Sequence, residues 1–125
     1  MLYNAVAVKE SVILFLDMNK ILTVCPSACP FHSHLIQNLL SVMASKNKAL
    51  TQKLEHMSKR TTREKLLSYL SGQSIKAGSS SFDISFNRQQ LADYLSVDRS
   101  AMSNELCKMR DEGMLSFSRN HFVLK

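Results

Sequence analysis

The segment from Phe86 to Lys125 constrains the fold more than any other part of the chain. A short amphipathic run at Arg88–Leu95 is followed by the polar turn Ser96–Asp98, and a second amphipathic run extends from Arg99 to Glu112. A glycine then stops the second run, and two short strand-like runs follow. Two helices joined by a short turn and followed by a β-hairpin form a winged helix-turn-helix, an arrangement that many DNA-binding domains use.

Local capping chemistry marks where several helices begin. Thr61 with Glu64, and Asn87 with Gln90, have the spacing of capping boxes, in which each side chain accepts a hydrogen bond from a free amide at the helix start. Asp98 is a suitable N-cap for the second helix of the helix-turn-helix, because its negative charge faces the positive end of the helix dipole.

The other boundaries follow from glycines and from the alternation of apolar residues. The helix after Thr61 is predicted to reach Ser71 and to end at Gly72. Gly113 is predicted to end the second helix of the helix-turn-helix. The remaining predictions are a loop at Gln73–Ser81, a strand at Phe82–Phe86, and hairpin strands at Met114–Phe117 and His121–Leu124 around the turn Ser118–Asn120.

The side chains of the helix-turn-helix divide into an apolar set and a polar set. The apolar residues that hold the two helices against each other are Leu91, Ala92, Leu95, Val97, Met102 and Leu106. The polar residues on the outer face of the second helix are Arg99, Ser100, Ser103 and Asn104. Arginine can pair with guanine through two hydrogen bonds and asparagine with adenine, and serine can reach a base edge or a phosphate. The alternatives are a winged domain that binds a protein partner and a solvated helix face.

The N-terminal part of the chain has a different pattern. Ala5–Val8 and Val12–Leu16 are apolar and rich in β-branched residues, and Lys9–Ser11 separates them, so two strands are predicted. Asp17–Thr23 is predicted to form a short helix. Two strands alone cannot bury both of their faces, so this segment is interpreted as the end of a larger β-structure.

Residues 31–59 contain neither glycine nor proline and have apolar residues at helical spacing. Two rows with a seven-residue period form a predicted dimer seam of Ile36, Leu40, Met43, Asn47, Leu50, Leu54 and Met57. Asn47 occupies a core position of this seam, where a buried asparagine favours a parallel dimer in register at some cost in stability. The alternative is an ordinary amphipathic helix that packs on its own domain.

Composition narrows the function classes. The formal net charge of +6 suits a polyanionic partner, although other basic proteins share it. No apolar run has the length of a membrane span, which indicates no membrane partner. The three cysteines form an odd number and suggest a reducing cytoplasm. The sequence contains no glycine-rich phosphate loop, nucleophile elbow or paired-carboxylate motif, so it gives no indication of an enzyme.

From Arg88 to Ser103, and again at Lys108–Met109 and Asp111–Leu115, the sequence resembles the DNA-binding domain of the Crp/Fnr family of bacterial transcription regulators. Thr61–Leu67 resembles the segment that leads into that domain. Two earlier segments complete the resemblance: Ala5–Leu22 is similar to the last strands of the family's cyclic-nucleotide-type β-roll, and Phe31–Lys59 to its long dimer helix.

The resemblance implies a mainly α fold with a small β part, divided into remnant β-roll strands (1–30), a dimerisation helix (31–60) and a winged helix-turn-helix (61–125). It implies a homodimer that binds double-stranded DNA at a palindromic operator and acts with RNA polymerase, without a cofactor. Arg88, Gln89 and Arg119 are the expected phosphate contacts. Because most of the β-roll is absent, the resemblance does not identify an effector.

This chain departs from the family at three positions of the second helix. Well-known members carry Glu and Arg where this chain has Ser100 and Asn104, so their operators do not transfer to it. Glu105 lies where the motif often has an apolar residue, and this leaves the rotation of the helix open.

Cys25, Cys29, His32 and His34 form a second group of possible ligands. A metal or redox sensor at Cys25 and Cys29 is the alternative function, but a C-x3-C spacing is a weak zinc signal and the neighbouring prolines shape a turn. We therefore expect these cysteines to be structural and no metal to bind.

Overall fold

The computed structural model describes residues 6–23 and 29–125. Its elements are α1 (Met18–Leu22), α2 (Pro30–Met57), α3 (Thr62–Ala77), β1 (Ser81–Asp83), α4 (Arg88–Leu95), α5 (Arg99–Asp111), β2 (Leu115–Ser118) and β3 (His121–Leu124). The chain divides into two compact units, Met1–Ala44 and Ser45–Lys125. None of the described helices is both long and apolar enough to cross a lipid bilayer.

In the N-terminal unit, the prediction of strands at Ala5–Val8 and Val12–Leu16 is wrong for the described residues. Residues 6–17 form no strand, and apolar side chains such as Val12 are exposed to solvent; Ala5 lies outside the described residues. A strand is stable only beside a partner that pairs with its backbone, and no sheet in the described part of the chain extends to this segment.

The short helix predicted at Asp17–Thr23 is confirmed as α1. The Asp17 carboxylate accepts hydrogen bonds from the backbone N–H groups of Asn19 and Lys20, and this satisfies two amides at the helix start.

In the C-terminal unit, α3 begins where the sequence predicts and ends later. Thr61 and Glu64 form the predicted capping box. The helix, however, continues through Gly72 to Ala77, so the predicted end and the predicted loop at residues 73–77 are wrong. Gly78 ends the helix instead, because its φ of 65° is the left-handed conformation that glycine adopts without steric cost.

The predicted helix-turn-helix is confirmed as α4 and α5. Asn87 and Gln90 form a capping box at the start of α4, and the Asp98 carboxylate accepts a hydrogen bond from the Ala101 N–H at the start of α5. Ser96 takes a left-handed conformation (φ 52°) between the two helices. After α5, Gly113 has a φ of 78° and turns the chain into β2.

The three strands form one antiparallel sheet in the order β1-β3-β2. Phe122 in the central strand faces Phe82 on one side and Phe117 on the other. The strand predicted at Phe82–Phe86 is shorter than expected, since pairing ends at Asp83. Ile84 is nevertheless buried, and its N–H donates to the Asn120 carbonyl.

The core of this unit joins three helices to the sheet. Its buried residues are Leu66, Tyr69, Leu70, Phe82, Ile84, Leu91, Ala92, Leu95, Met102, Leu106, Met109, Leu115 and Phe122. Five of the six apolar residues that the sequence assigns to the helix-turn-helix are in this set, and Val97 packs against it. The core therefore fixes which face of α5 points outward.

Candidate nucleic-acid interface

The two faces of α5 differ sharply in chemistry. Met102, Leu106 and Met109 are completely buried against the rest of the domain. Arg99 and Asn104, by contrast, are exposed in the first turns of the helix. The other two predicted base contacts share this outer surface, since Ser100 is exposed and Ser103 is half-buried.

Three exposed polar side chains in the first turns of α5 have no partner among the described residues. Among residues 6–23 and 29–125, the side chains of Arg99, Ser100 and Asn104 make no hydrogen bond or ion pair. An arginine and an asparagine with free donors can form paired hydrogen bonds with the edges of guanine and adenine. The outer face of α5 is therefore available to a ligand with hydrogen-bonding edges.

An ion cluster joins the start of α3 to α5 and to Glu112, the residue that follows α5. Arg63 in α3 donates from Nη1 and Nη2 to the two carboxylate oxygens of Glu112, at 2.8 Å each. Its Nε donates to Glu105. Glu105, which replaces the apolar residue usual in the motif, thus turns toward α3 and away from the outer face. No local sequence pattern indicated this role of Arg63.

Ion pairing in this cluster shifts the pKa values of Arg63 and Glu112. The hydrogen bond from Arg63 lowers the pKa of Glu112, and the two carboxylates raise the pKa of Arg63. Each charged form is stabilised by its partner, so the cluster is intact at neutral pH. The unusual Glu105 was the one sequence signal that pointed to a charged partner on another helix.

The wing consists of β2, β3 and the turn between them. Arg119 in this turn is exposed and has a positive φ of 52°. Its guanidinium has no acidic partner in the part of the chain that the structure describes. The wing therefore presents a free cation at its tip, and such a group can bind a phosphate.

The other two expected phosphate contacts have partners within the domain. The Gln89 side-chain amide donates to the Asp93 carboxylate at 2.8 Å on the surface of α4. Arg88 is half-buried, and its Nη2 donates to the Arg119 carbonyl at 2.9 Å. Gln89 is thus close to solvent, whereas Arg88 is engaged with the wing.

The residues of the predicted dimer seam are largely open to solvent in the single chain. Leu50 and Leu54 each expose more than 60% of their surface, and Leu40 and Met43 are similarly exposed. Asn47 is exposed as well, while Ile36 and Met57, at the two ends of the seam, are half-buried.

The cysteine and histidine group predicted as an alternative site is only partly described. Cys25 lies outside the described residues. Cys29 is a half-buried free thiol, and the His32 ring contacts the Ile21 carbonyl. The described residues contain no cluster of three or more side chains that could hold a metal ion.

Comparison with known families assigns the C-terminal region. A model described as the Crp-like helix-turn-helix domain matches residues 64–125, the segment that contains α4, α5 and the wing. Comparison with curated protein sequences finds no match. Residues 64–125 are therefore a Crp-like helix-turn-helix domain, the DNA-binding region of a Crp/Fnr-family transcription regulator.

Proposed function

We propose that the chain acts as a homodimer that binds a palindromic operator through the outer face of α5, with one α5 in each of two adjacent major grooves. The observation that carries this proposal is the exposed and unpartnered set of Arg99, Ser100 and Asn104. These side chains lie in the first turns of a helix whose opposite face is completely buried. The first turns of a recognition helix are the part that reaches base edges in such domains.

Base readout and backbone positioning fall to different residues in this proposal. Arg99 and Asn104 read bases, and Ser100 and Ser103 supplement them at base edges or phosphates. Arg119 binds a phosphate beside the groove, and Gln89 is placed to do so from α4.

The packing of α2 supports the homodimer. Residues advance by about 100° per position around a helix, so Leu50 and Leu54 lie on the side opposite to Gln52 and His56. His56 is buried against α3, whereas both leucines are open. The seam of the C-terminal half of α2 is thus free to pair with a second copy.

A two-fold axis through such a dimer relates the two recognition helices. They would read half-sites about one helical turn apart, on the order of 34 Å. We further propose that the bound dimer acts on transcription through RNA polymerase.

Selection of bound duplexes from a random DNA pool would test this function. We expect a palindromic motif and an affinity that falls steeply with salt, because bound phosphates release counterions. Arg99→Ala should weaken binding to the selected duplex by roughly 1–3 kcal/mol and relax the base preference at one base pair. Asn104→Ala should relax the preference for adenine at a neighbouring position.

The control compares the selected duplex with a scrambled one at a single salt concentration. Lys76→Ala removes the same charge outside α4, α5 and the wing and should leave the motif unchanged. If Arg99→Ala and Asn104→Ala both leave the motif and the affinity unchanged, α5 is not the reading helix. Binding that does not depend on salt would favour a protein partner instead.

A further inference from the structure

Arg88, the first residue of α4, is held on three sides. Its Cζ lies 5.0 Å from the ring centroid of Phe117 and 5.0 Å from that of Phe122. Its Nη2 donates to the Arg119 carbonyl oxygen at 2.9 Å. Its Nη1 is buried and has no hydrogen-bond partner among the described residues. The guanidinium therefore faces the wing from inside the domain.

The turn that Arg88 contacts has an unfavourable backbone conformation. Arg119 adopts a φ of 52°, which is uncommon for a residue with a side chain. The next carbonyl, that of Asn120, accepts a hydrogen bond from the Ile84 N–H at 2.9 Å. Both turn carbonyls are thus tied to the body of the domain, and the Arg119 side chain is left exposed.

We propose that Arg88 is a positioning residue of the wing, which holds the turn so that the Arg119 guanidinium meets a DNA phosphate, and that Arg88 itself does not contact DNA. This inference rests on the proposed DNA-binding function. In the present arrangement the Nη1 of Arg88 is buried and its Nη2 is bonded to the Arg119 carbonyl, so neither nitrogen is directed at a ligand outside the domain.

The chemistry of arginine suits this position better than that of lysine. A planar guanidinium can lie over aromatic rings and still donate a directed hydrogen bond from its edge. A lysine at the same place keeps the positive charge but lacks the planar fork. Burial also lowers the pKa of Arg88, and arginine is the cation that stays protonated in such surroundings.

A double-mutant cycle distinguishes positioning from direct contact. The variants Arg88→Met, Arg119→Ala and the double variant are titrated with the selected duplex over a range of salt concentrations. Loss of one phosphate contact reduces the slope of log K against log salt by about 0.9. We expect each single variant to lose up to this amount, and the double variant to lose no more than Arg119→Ala alone. Additive losses, with a slope reduced by about 1.8 in the double variant, would overturn the inference.

Arg88→Lys sharpens the comparison. If Arg88 acts through the turn, Arg88→Lys should weaken binding about as much as Arg88→Met. If Arg88 contacts a phosphate, the lysine should retain most of the affinity and the salt slope, and the inference fails. Gln89→Ala, as a matched control on the same helix, should combine additively with Arg119→Ala.

A measurement without DNA separates this inference from the proposed function. In the free protein, Arg88→Met should speed amide hydrogen exchange at Ile84 and in β3, while the Met102 amide in α5 keeps its wild-type rate. Unchanged exchange at the wing would also overturn the inference. If the wild-type chain binds no DNA while the wing amides respond as expected, the proposed function fails and the contact between Arg88 and the wing stands.

Discussion

At the residue scale, His56 is a buried polar side chain, with 9% of its surface exposed. Its Nδ1 lies 2.8 Å from the Ser68 hydroxyl of α3, and its ring meets Tyr69 edge-on and lies beside Tyr94 of α4. Burial lowers the pKa of His56, nearby Lys59 lowers it further, and Glu55 opposes the shift. Folding therefore favours the neutral form of the His56 imidazole.

This residue makes stability depend on pH. Because the folded pKa of His56 lies below its unfolded value of about 6.5, the unfolded chain binds the proton more tightly. We expect the free energy of unfolding to be highest above pH 6.5 and to fall as the pH decreases toward the folded pKa. The slope for one proton cannot exceed about 1.4 kcal/mol per pH unit. Urea unfolding at a series of pH values measures it.

The control for this prediction lies on the same helix. His56→Gln should flatten the dependence of stability on pH between 7 and 5, whereas His34→Gln, which removes an exposed imidazole from α2, should leave it in place. The role given to His56 is wrong if His56→Gln and the wild-type chain lose stability in parallel over this interval.

At the element scale, α3 shows why a glycine is an uncertain helix terminator. Gly72 lies inside the helix, next to the imidazole of His56. Gly78 has the left-handed conformation, and the Ser79 N–H beyond it donates to the Ser74 carbonyl to close the helix end. The same residue type is thus tolerated at one position and required by the backbone at the other.

Substitution by alanine should separate the two glycines. A Cβ at Gly72 would lie 3.6 Å from His56 Cε1, an ordinary contact. Gly72→Ala should therefore stabilise the protein by roughly 0.5–1 kcal/mol, the usual gain from glycine to alanine inside a helix. Gly78→Ala should destabilise it by about 1 kcal/mol, because φ is positive there. Urea unfolding of both variants tests this, and a loss of stability in Gly72→Ala would contradict it.

At the scale of the whole molecule, assembly depends on the open seam of α2. We expect a dimeric mass by sedimentation at tens of micromolar. Leu54→Lys should yield monomers, because it places a charge in the seam, whereas Gln52→Leu on the opposite face should not.

Asn47→Leu should raise the thermal stability and loosen the register, since a buried asparagine selects register at a cost in stability. A monomeric wild-type mass would contradict the homodimer.

Local sequence was sufficient wherever the interacting groups are close neighbours in the chain. The capping boxes of Thr61 and Asn87, the N-cap Asp98 and the hairpin around Arg119 all depend on partners a few residues away. The apolar spacing of α4 and α5 also distinguished the buried face of each helix from the exposed face. It thereby identified the candidate base-contacting residues of α5. These features are fixed by the geometry of single turns, so they can be predicted before the fold is known.

Only the tertiary structure decided the contacts between distant segments. Arg88 was expected to contact a phosphate. In the fold it instead contacts the wing and donates a hydrogen bond to Arg119, which is 31 residues later in the sequence. Arg63 reaches Glu112 across 49 residues, and no local pattern records that pairing. The strand predicted at Val12–Leu16 is wrong for a related reason, because a strand requires a pairing partner from elsewhere in the fold. The sequence alone thus determined where the helices begin and which residues of α5 are apolar or polar, whereas long-range packing set the end of α3, the rotation of α5 and the position of the wing.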